Sequence, residues 1–283
     1  MFINPNRFSN LGPLAKTETA TENEMLWSIR IRAQCQDARD GNNVAAVVKQ
    51  ASRQYDRLDQ PEPPVIGEYV SVYFPHRDWQ TLAKTYCLDA RPDPTAAGEI
   101  WEFEVKTNIR DKVNLSFEGM KSVPEELEVW LVDEALKITQ NLREQWQYGV
   151  AGTGAGAVAV AGAEHAKQLK LVVGKHDFVD EKLAEVRTIP TAYELPQNFP
   201  NPFNPVTTIR YGLPKAESVT LKIYNLLGAE VATLVDNEPK AAGYHVAIWD
   251  GRNKNGGVIA SGVYVYRLQA GSFVMTKKMA VVK

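Results

Sequence analysis

One glycine pattern in the sequence imitates a nucleotide-binding motif. Gly154, Gly156 and Ala159 fit G-x-G-x-x-A, and Asp177 follows downstream. In dinucleotide-binding folds such small residues let the backbone approach a pyrophosphate, and the downstream acid binds a ribose hydroxyl. The residues before the glycines, EQWQYGVA, make a poor buried parallel strand, and no further strand–helix units follow. We therefore interpret this stretch as a flexible hairpin loop and expect no bound cofactor.

Residues that commonly ligate metals or act as bases are scattered along the chain. The histidines form no i,i+4 pair and no H-E-x-x-H motif; they are His76, His165, His176 and His245. The segment DGRNKNGG at 250–257 lacks the alternating acids and the distal glutamate of a calcium loop. No G-x-S-x-G or other nucleophile–base signature is present either. The pattern predicts neither a metal site nor an enzyme.

Length, charge and cysteine content limit the classes of protein further. At 283 residues, the chain is long enough for about two domains. The formal net charge of -2 provides no broad basic surface for nucleic acid or an anionic membrane. Cys35 and Cys87 allow at most one disulfide, and the sequence leaves their pairing open. The least polar stretch, 149–163, is shorter than the about 20 residues that a membrane-spanning helix needs.

Period-two alternation of apolar and polar residues dominates the first two-thirds of the chain. In IWEFEVKT, Trp101, Phe103 and Val105 share one face, which is typical of a half-buried antiparallel strand. Similar strands are predicted at 27–34, 68–74, 112–119, 126–133 and 168–174. At 44–58, by contrast, helical spacing of apolar residues predicts a short helix. We predict a β-sandwich over 26–178, after a disordered or linker segment at 1–25 and before a linker at 179–193.

Residues 194–283 have a second, denser pattern of strands. Turn residues separate predicted strands at 207–213, 218–225, 229–235, 244–250, 262–269 and 272–282. Ahead of them, Pro200, Pro202 and Pro205 remove backbone donors, so that stretch cannot be a central strand. We interpret it as a stiff, polyproline-like spacer that holds a domain apart from its neighbour. The fold class predicted is all-β, with two Ig-like β-sandwich domains, a short linker and little helix.

The same residues carry a family resemblance. In order, the blocks ELPQNFPNPFNPVTTIRYGLP, VTLKIYNLLGAEVATLV, AAGYHVAIWDGRNKNGGVIASGVYVYRLQAG and FVMTKKMAVVK resemble the type A C-terminal sorting domain of the type IX secretion system. The core also looks like the Ig-like domain of the flagellar hook-capping protein. The positions that match the sorting motif are Pro196, Asn198, Pro200, Asn201, Pro202, Phe203, Asn204, Pro205, Thr208, Gly228, Gly243, Trp249, Asp250, Gly251, Gly262, Tyr264, Lys277 and Lys278.

The resemblance implies a delivery function. Members of this family are recognised by an outer-membrane translocon, and the domain is then removed or used to attach its cargo at the cell surface. The expected location is therefore outside a Gram-negative cell or attached to its surface, reached through the periplasm. A simpler explanation exists for Lys277 and Lys278, because lysines also protect a solvated edge strand from aggregation. The N-terminus shows no signal peptide, so we expect this chain to be part of a longer cargo protein.

The first predicted sandwich carries less information about function. Its sequence from 37 to 133 looks like a β-sandwich often found just upstream of such sorting domains, which implies an accessory or stem module. An alternative is a carbohydrate-binding surface module, because exposed aromatic rings on a sandwich face often bind sugars. The candidates for that face are Trp79, Trp130 and Trp146. A further alternative is a hook-cap-like scaffold protein, since that family shares the Ig-like core.

Overall fold

The structure is a computed structural model that describes residues 25–93, 97–152, 166–184 and 186–282. The all-β prediction, with two sandwich-like units and little helix, is confirmed. The first unit contains β1 (Met25–Cys35), β2 (Ala38–Val48), β3 (Gln60–Pro61), β4 (Val70–Pro75), β5 (Thr85–Arg91), β6 (Gly98–Thr107), β7 (Lys112–Glu118), β8 (Glu128–Asp133), β9 (Ile138–Asn141), β10 (Gln147–Ala151) and β11 (Lys167–Gly174), followed by α1 (His176–Ala184).

The second unit contains β12 (Thr207–Leu213), β13 (Glu217–Asn225), β14 (Glu230–Lys240), β15 (Gly243–Trp249), β16 (Gly262–Ala270) and β17 (Phe273–Val281). Several residues singled out in the sequence lie outside the described residues: the N-terminal segment 1–24, Gly154, Gly156, Ala159 and His165. The other predicted strands lie within two residues of the observed bounds, because each alternating run has one face to bury, whereas β14 continues five residues beyond its predicted end. The strands β2, β3, β5, β9 and β10 were not predicted.

The first unit is a sheet folded over on itself. Its strand order is β10-β7-β1-β2-β5-β4-β6-β11-β8-β9, with β3 paired to β5. The two halves of this order face each other across a common core, where the rings of Trp27 on β1 and Trp101 on β6 meet edge to face at 5.6 Å. Phe103 and Phe117 make a second contact of this kind at 6.3 Å. Aromatic pairs across the two layers explain why these strands alternate so regularly.

The predicted helix at 44–58 is wrong. Residues up to Val48 continue β2, which pairs antiparallel with β1 and parallel with β5. Ala45 and Val47 face the main core, whereas Ala46 and Val48 pack into a small cluster on the opposite face. A strand that buries both faces loses its period-two signal, so its apolar residues imitated helical spacing.

The helix α1 was not predicted. It begins at His176 and packs Val179 and Leu183 against Val132 of β8 and Val172 of β11. The predicted boundary at 178–179 falls inside this helix, because its apolar face is short and charged residues surround it. The predicted domain boundaries themselves stay a prediction.

The second unit is a smaller sandwich. A two-stranded sheet of β12 and β15 faces a four-stranded sheet of order β14-β13-β16-β17. Apolar side chains from both sheets, among them Ile209, Leu221 and Tyr266, form one core between them. The fold therefore places the last strand, β17, at an edge of the larger sheet.

The two units also contact each other. A side chain at Gly149 of β10 would approach the Ile248 side chain of β15, with the glycine Cβ position 3.2 Å from Cδ1. Nearby, the Lys137 ammonium lies 5.6 Å from the ring centroid of Tyr244. The second sandwich thus uses its β12–β15 sheet to pack against the β9–β10 side of the first.

Candidate functional site

The proline-rich segment, residues 194–206, packs as part of the second sandwich. The prediction that it is a stiff spacer was therefore wrong. Leu195 and Phe203 are buried in its core, where Phe203 lies 5.5 Å from the ring of Trp249. Glu194 pairs with Gly212, and Phe199 pairs with Thr208, as isolated antiparallel bridges to β12. The peptide bonds preceding Pro200, Pro202 and Pro205 are cis. Apolar residues between the prolines anchor the segment, which composition alone does not reveal.

Buried Asn198 anchors the proline-rich segment through hydrogen bonds. Its side-chain nitrogen donates to Thr207 Oγ1 at 2.8 Å and to the Pro200 carbonyl at 3.1 Å. Its backbone N–H donates to the Tyr266 hydroxyl at 3.0 Å, and that hydroxyl donates to the Pro196 carbonyl at 2.8 Å. Burial raises the pKa of Tyr266 to about 12, so the hydroxyl stays a donor throughout the physiological range. Buried polar groups are thereby satisfied without any charge.

The segment also binds the last strand. Phe203 donates its N–H to the Ala280 carbonyl at 3.0 Å and accepts from the Val282 N–H at 3.0 Å. Asn201 Oδ1 accepts from the Ala280 N–H at 2.8 Å. Gln197 donates to the Lys278 carbonyl at 2.8 Å. The residues at the two ends of the sorting motif, far apart in sequence, therefore form one continuous edge.

Lys277 and Lys278 lie on this edge strand and are exposed. Within the described residues, neither ammonium group has a carboxylate at ion-pair distance. The hydrogen bonds to the proline-rich segment fix the backbone beneath them. Their placement suits both a recognition surface and a protected sheet edge.

The turn after β15 joins this region through Gly251. Its φ of 71° is in the left-handed region, and an added Cβ would lie 2.8 Å from the Pro205 carbonyl oxygen. Asp250 accepts the Arg252 N–H at 3.1 Å, and Trp249 Nε1 donates to the Arg252 carbonyl at 2.9 Å. Only glycine allows this turn to pack directly on the proline-rich segment.

The remaining sorting-motif residues fall into two groups. The ring of Tyr264 lies 5.9 Å from that of Trp249, so Tyr264 belongs to the same cluster. Gly228 lies in the β13–β14 turn, and Gly243 and Gly262 lie at the starts of β15 and β16. These three glycines have open space around the Cβ position or only a distant ring contact, so they shape turns away from the segment.

The three tryptophans proposed as a sugar-binding face lie in different environments. Trp79 is 3% exposed and stacks on His76 with ring centroids 3.5 Å apart. Trp130 is covered by the Arg187 guanidinium at 4.2 Å and packs beside α1. Trp146 is 51% exposed. They do not form one exposed aromatic face, and glycan binding stays a prediction that now rests on Trp146.

A buried ionic network in the first sandwich was missed by the sequence analysis. Asp89 accepts from His76 at 2.9 Å and from Arg91 at 3.0 Å, and Arg91 also donates to Glu99 at 2.8 Å. Burial alone would raise the pKa of Asp89, but hydrogen bonds and charges from His76 and Arg91 hold it below the usual range. Arg53 binds Glu99 from the surface. The only sequence signal is that charged residues occupy apolar-face positions of β5 and β6.

The described residues include few other groups that could support chemistry. Cys35 and Cys87 are both buried and free, and burial raises the pKa of the Cys87 thiol to about 12. Across the described residues, no group of three or more His, Cys, Asp and Glu side chains could hold a metal ion. In the same part of the chain, none of the helical structure has the length and apolar character needed to cross a bilayer. Asp177, the acid of the nucleotide-like pattern, lies in the first turn of α1.

Comparison with known proteins gives one family match. The model of the FlgD Ig-like domain matches residues 206–272, which is most of the second sandwich. The curated proteins contain no match to this chain.

Two solved structures are similar to parts of the chain. One is PorZ, described as an essential bacterial surface component of the type-IX secretion system of Porphyromonas gingivalis; it has 18% identity and a TM-score of 0.24, and the match covers 40% of this chain and 14% of PorZ. The other is dimeric latent PorU from the same organism, with 13% identity, a TM-score of 0.28, and coverage of 92% of this chain and 30% of PorU. The chain thus spans less than a third of either protein.

Proposed function

We propose that residues 194–283 are a sorting domain for type IX secretion. The chain is then the non-catalytic C-terminal region of a protein that is secreted or attached to the surface of a Gram-negative bacterium. The ordered sequence blocks and the match of 206–272 to an Ig-like domain family support this proposal. The first sandwich serves as a stem between the sorting domain and its cargo.

The proposal rests mainly on the hydrogen bonds that join the proline-rich segment to the last strand, β17. Backbone and side-chain hydrogen bonds from Gln197, Asn201 and Phe203 fix residues 278–282. A translocon can therefore read both ends of the motif on one rigid edge of a folded domain. Pre-organised surfaces bind with less loss of conformational entropy than flexible tails.

The test is export of a reporter. A signal peptide and a fluorescent protein are fused ahead of the full chain and expressed in a host with an active type IX system. We expect the reporter at the cell surface or in the medium, and we expect retention in the periplasm when 194–283 is deleted or the translocon is inactivated. Retention of the full fusion, or export that does not need the translocon, contradicts the proposal.

Point variants separate recognition from folding. Lys277→Ala with Lys278→Ala leaves the core and the segment contacts intact, so reduced export indicates direct recognition of this edge. Lys254→Ala, in an exposed turn of the same sandwich, is the matched control and should export normally. If the two variants export equally well, the lysines only protect an edge strand.

The FlgD Ig-like match also favours a second candidate, a hook-cap-like scaffold. Such a protein would act with flagellar hook subunits and needs no export edge at β17. Co-purification of the full chain with flagellar hook subunits, unaffected by the Lys277 and Lys278 substitutions, would support this candidate over the first.

A further inference from the structure

Large apolar side chains are exposed at one end of the second sandwich. This end contains the β13–β14 turn, the loop that joins β15 to β16, and the end of β17. Strand pairing brings these parts together, because Asn225 at the end of β13 lies opposite Tyr264 of β16, and β17 ends beside the start of β16. The Lys254 N–H donates to the Val231 carbonyl at 2.9 Å and fixes the loop beside β14. We define the apolar end by its exposed side chains, which are Leu226, Leu227, Val258, Val263 and Val282.

The exposure of these side chains is concentrated at the connections between strands. Leu226 is 66% exposed and Leu227 is 93% exposed in the β13–β14 turn. Among the described residues from β12 to the end of β17, Val274 is the only other large apolar side chain that is strongly exposed. Single exposed apolar residues are common on soluble proteins, whereas a cluster of them indicates a surface that binds something. The cluster stays exposed although the first sandwich packs on the neighbouring β12–β15 sheet.

Cationic side chains lie next to the apolar end. Lys254 is in the β15–β16 loop, and Lys278 is on β17. Within the described residues, neither ammonium group has a carboxylate at ion-pair distance. The carboxylates at this end, Glu230 and Asp250, are each paired with another cation. The apolar end therefore carries a local positive charge, although the formal net charge of the whole chain is -2.

We propose that the apolar end binds the surface of a lipid bilayer that contains anionic phospholipids. Leucine and valine side chains that project from separate connections can each enter the boundary between headgroups and acyl chains, and the apolar area that they bury there drives binding. The unpaired Lys254 and Lys278 flank these side chains and are attracted to the negative potential of the lipid surface. A protein partner would instead need a closely packed contact area, which separate projecting side chains provide poorly. Lipid binding needs no translocon, so this inference is independent of the export function proposed above.

The test is flotation of the purified full chain with vesicles of defined composition. We expect the chain to float with vesicles of equimolar phosphatidylcholine and phosphatidylglycerol, and to bind vesicles of phosphatidylcholine alone about tenfold more weakly. High salt should remove most of this difference, because dissolved ions screen the attraction between the lysines and the phosphate groups.

Two leucine variants locate the contact. Leu227→Ser should weaken binding to the mixed vesicles about tenfold, because an exposed side chain that enters the bilayer is lost. Leu82→Ser is the matched control, since Leu82 is 104% exposed but belongs to the first sandwich, away from the apolar end. This control should bind the mixed vesicles as the wild-type chain does.

The lysines are tested together. Lys254→Ala with Lys278→Ala should weaken binding to the mixed vesicles about tenfold and leave binding to phosphatidylcholine unchanged. Circular dichroism of each variant checks that the chain is folded.

The inference is overturned if the wild-type chain does not float with the mixed vesicles, or if Leu227→Ser and Leu82→Ser bind them equally well. It is also overturned if the lysine substitutions leave the preference for phosphatidylglycerol unchanged. Self-association in analytical ultracentrifugation that Leu227→Ser abolishes, without any vesicle binding, would show that this end binds a second copy of the chain instead.

Discussion

The two sandwiches differ in what they bury. Among the described residues, the buried ionisable side chains belong to the first sandwich, namely Asp59, Asp89, Glu99, Glu104 and Asp133. The buried polar residues of the second, Asn198 and Thr207, are neutral. In the second sandwich the buried pair is bonded to itself and to neighbouring carbonyls. In the first, the charges depend on partners such as Arg91 and Lys167.

Because of this difference, different substitutions should destabilise the two units. Removing one partner of a buried ion pair leaves an uncompensated charge in a low-dielectric interior, whereas neutral groups lose only a hydrogen bond. The first sandwich should therefore respond strongly to charge deletion and to pH. The second should respond mainly to loss of the contacts that hold its proline-rich segment.

The largest expected effect is from Arg91→Met. Arg91 is 16% exposed and binds both Asp89 and Glu99, so its loss leaves buried Asp89 with His76 alone and buried Glu99 with the exposed Arg53 alone. We expect a loss of about 3–5 kcal/mol in the free energy of unfolding, measured by urea titration with circular dichroism. Arg53→Met removes a 54% exposed partner of the same Glu99 and should cost about 0–1 kcal/mol. Equal effects of the two substitutions would show that burial of the cationic partner does not set the cost.

In the second sandwich, Tyr266→Phe should have the next largest effect. The missing hydroxyl leaves the buried Asn198 N–H without an acceptor and the Pro196 carbonyl without a donor. The expected cost is about 1–3 kcal/mol, with faster hydrogen exchange at Asn198 than in the wild type. Tyr264→Phe, whose hydroxyl meets only the Ala260 carbonyl near the surface, is the control and should cost less. A smaller loss of stability for Tyr266→Phe than for the control would show that these buried hydrogen bonds do not fix the proline-rich segment.

The free energy of unfolding should also depend on pH differently in the two sandwiches. Because the pKa of Glu62 is raised to about 7 in the folded state, folded chains bind more protons than unfolded ones between about pH 4.5 and 7. The stability contributed by this group therefore falls as pH rises through that window. Glu62→Gln should flatten the profile by on the order of 1 kcal/mol.

Glu230 of the second sandwich is the counterpart. Its hydrogen bond to Lys222 lowers its pKa, so its contribution is lost only as pH falls below the usual carboxylate range. Glu230→Gln should leave the profile between about pH 4.5 and 7 unchanged. A profile flattened equally by Glu230→Gln would mean that the pH response does not come from buried carboxyl groups.

The smallest effects are expected at exposed apolar residues of both units. Trp146→Ser in the first and Leu227→Ser in the second, where Leu227 is 93% exposed, should each change stability by less than about 0.5 kcal/mol. Thermal melts of both variants check this. A large loss for Trp146→Ser alone would indicate that the first sandwich is fragile in general, independent of its buried charges.

Much of the architecture follows from the sequence. Strands such as β6 and β12 alternate because each has one face in a core, and that period can be read without a structure. The Ig-like character of the second unit could also be predicted from its sequence, and the Ig-like family match over 206–272 agrees with it. Where both faces are buried, as in β2, the period vanishes and the prediction became a helix.

Tertiary structure decided the rest. From its sequence, a proline-rich segment can be a free spacer or part of a sandwich edge. Here it is an edge, because Phe203 and Asn198 contact strands that are distant in sequence. Whether a tryptophan is a platform or a core residue depends on what covers it, as α1 and Arg187 cover Trp130. The local sequence pattern shows which face of a strand or helix is apolar, but long-range strand pairing determines which partners each polar group contacts.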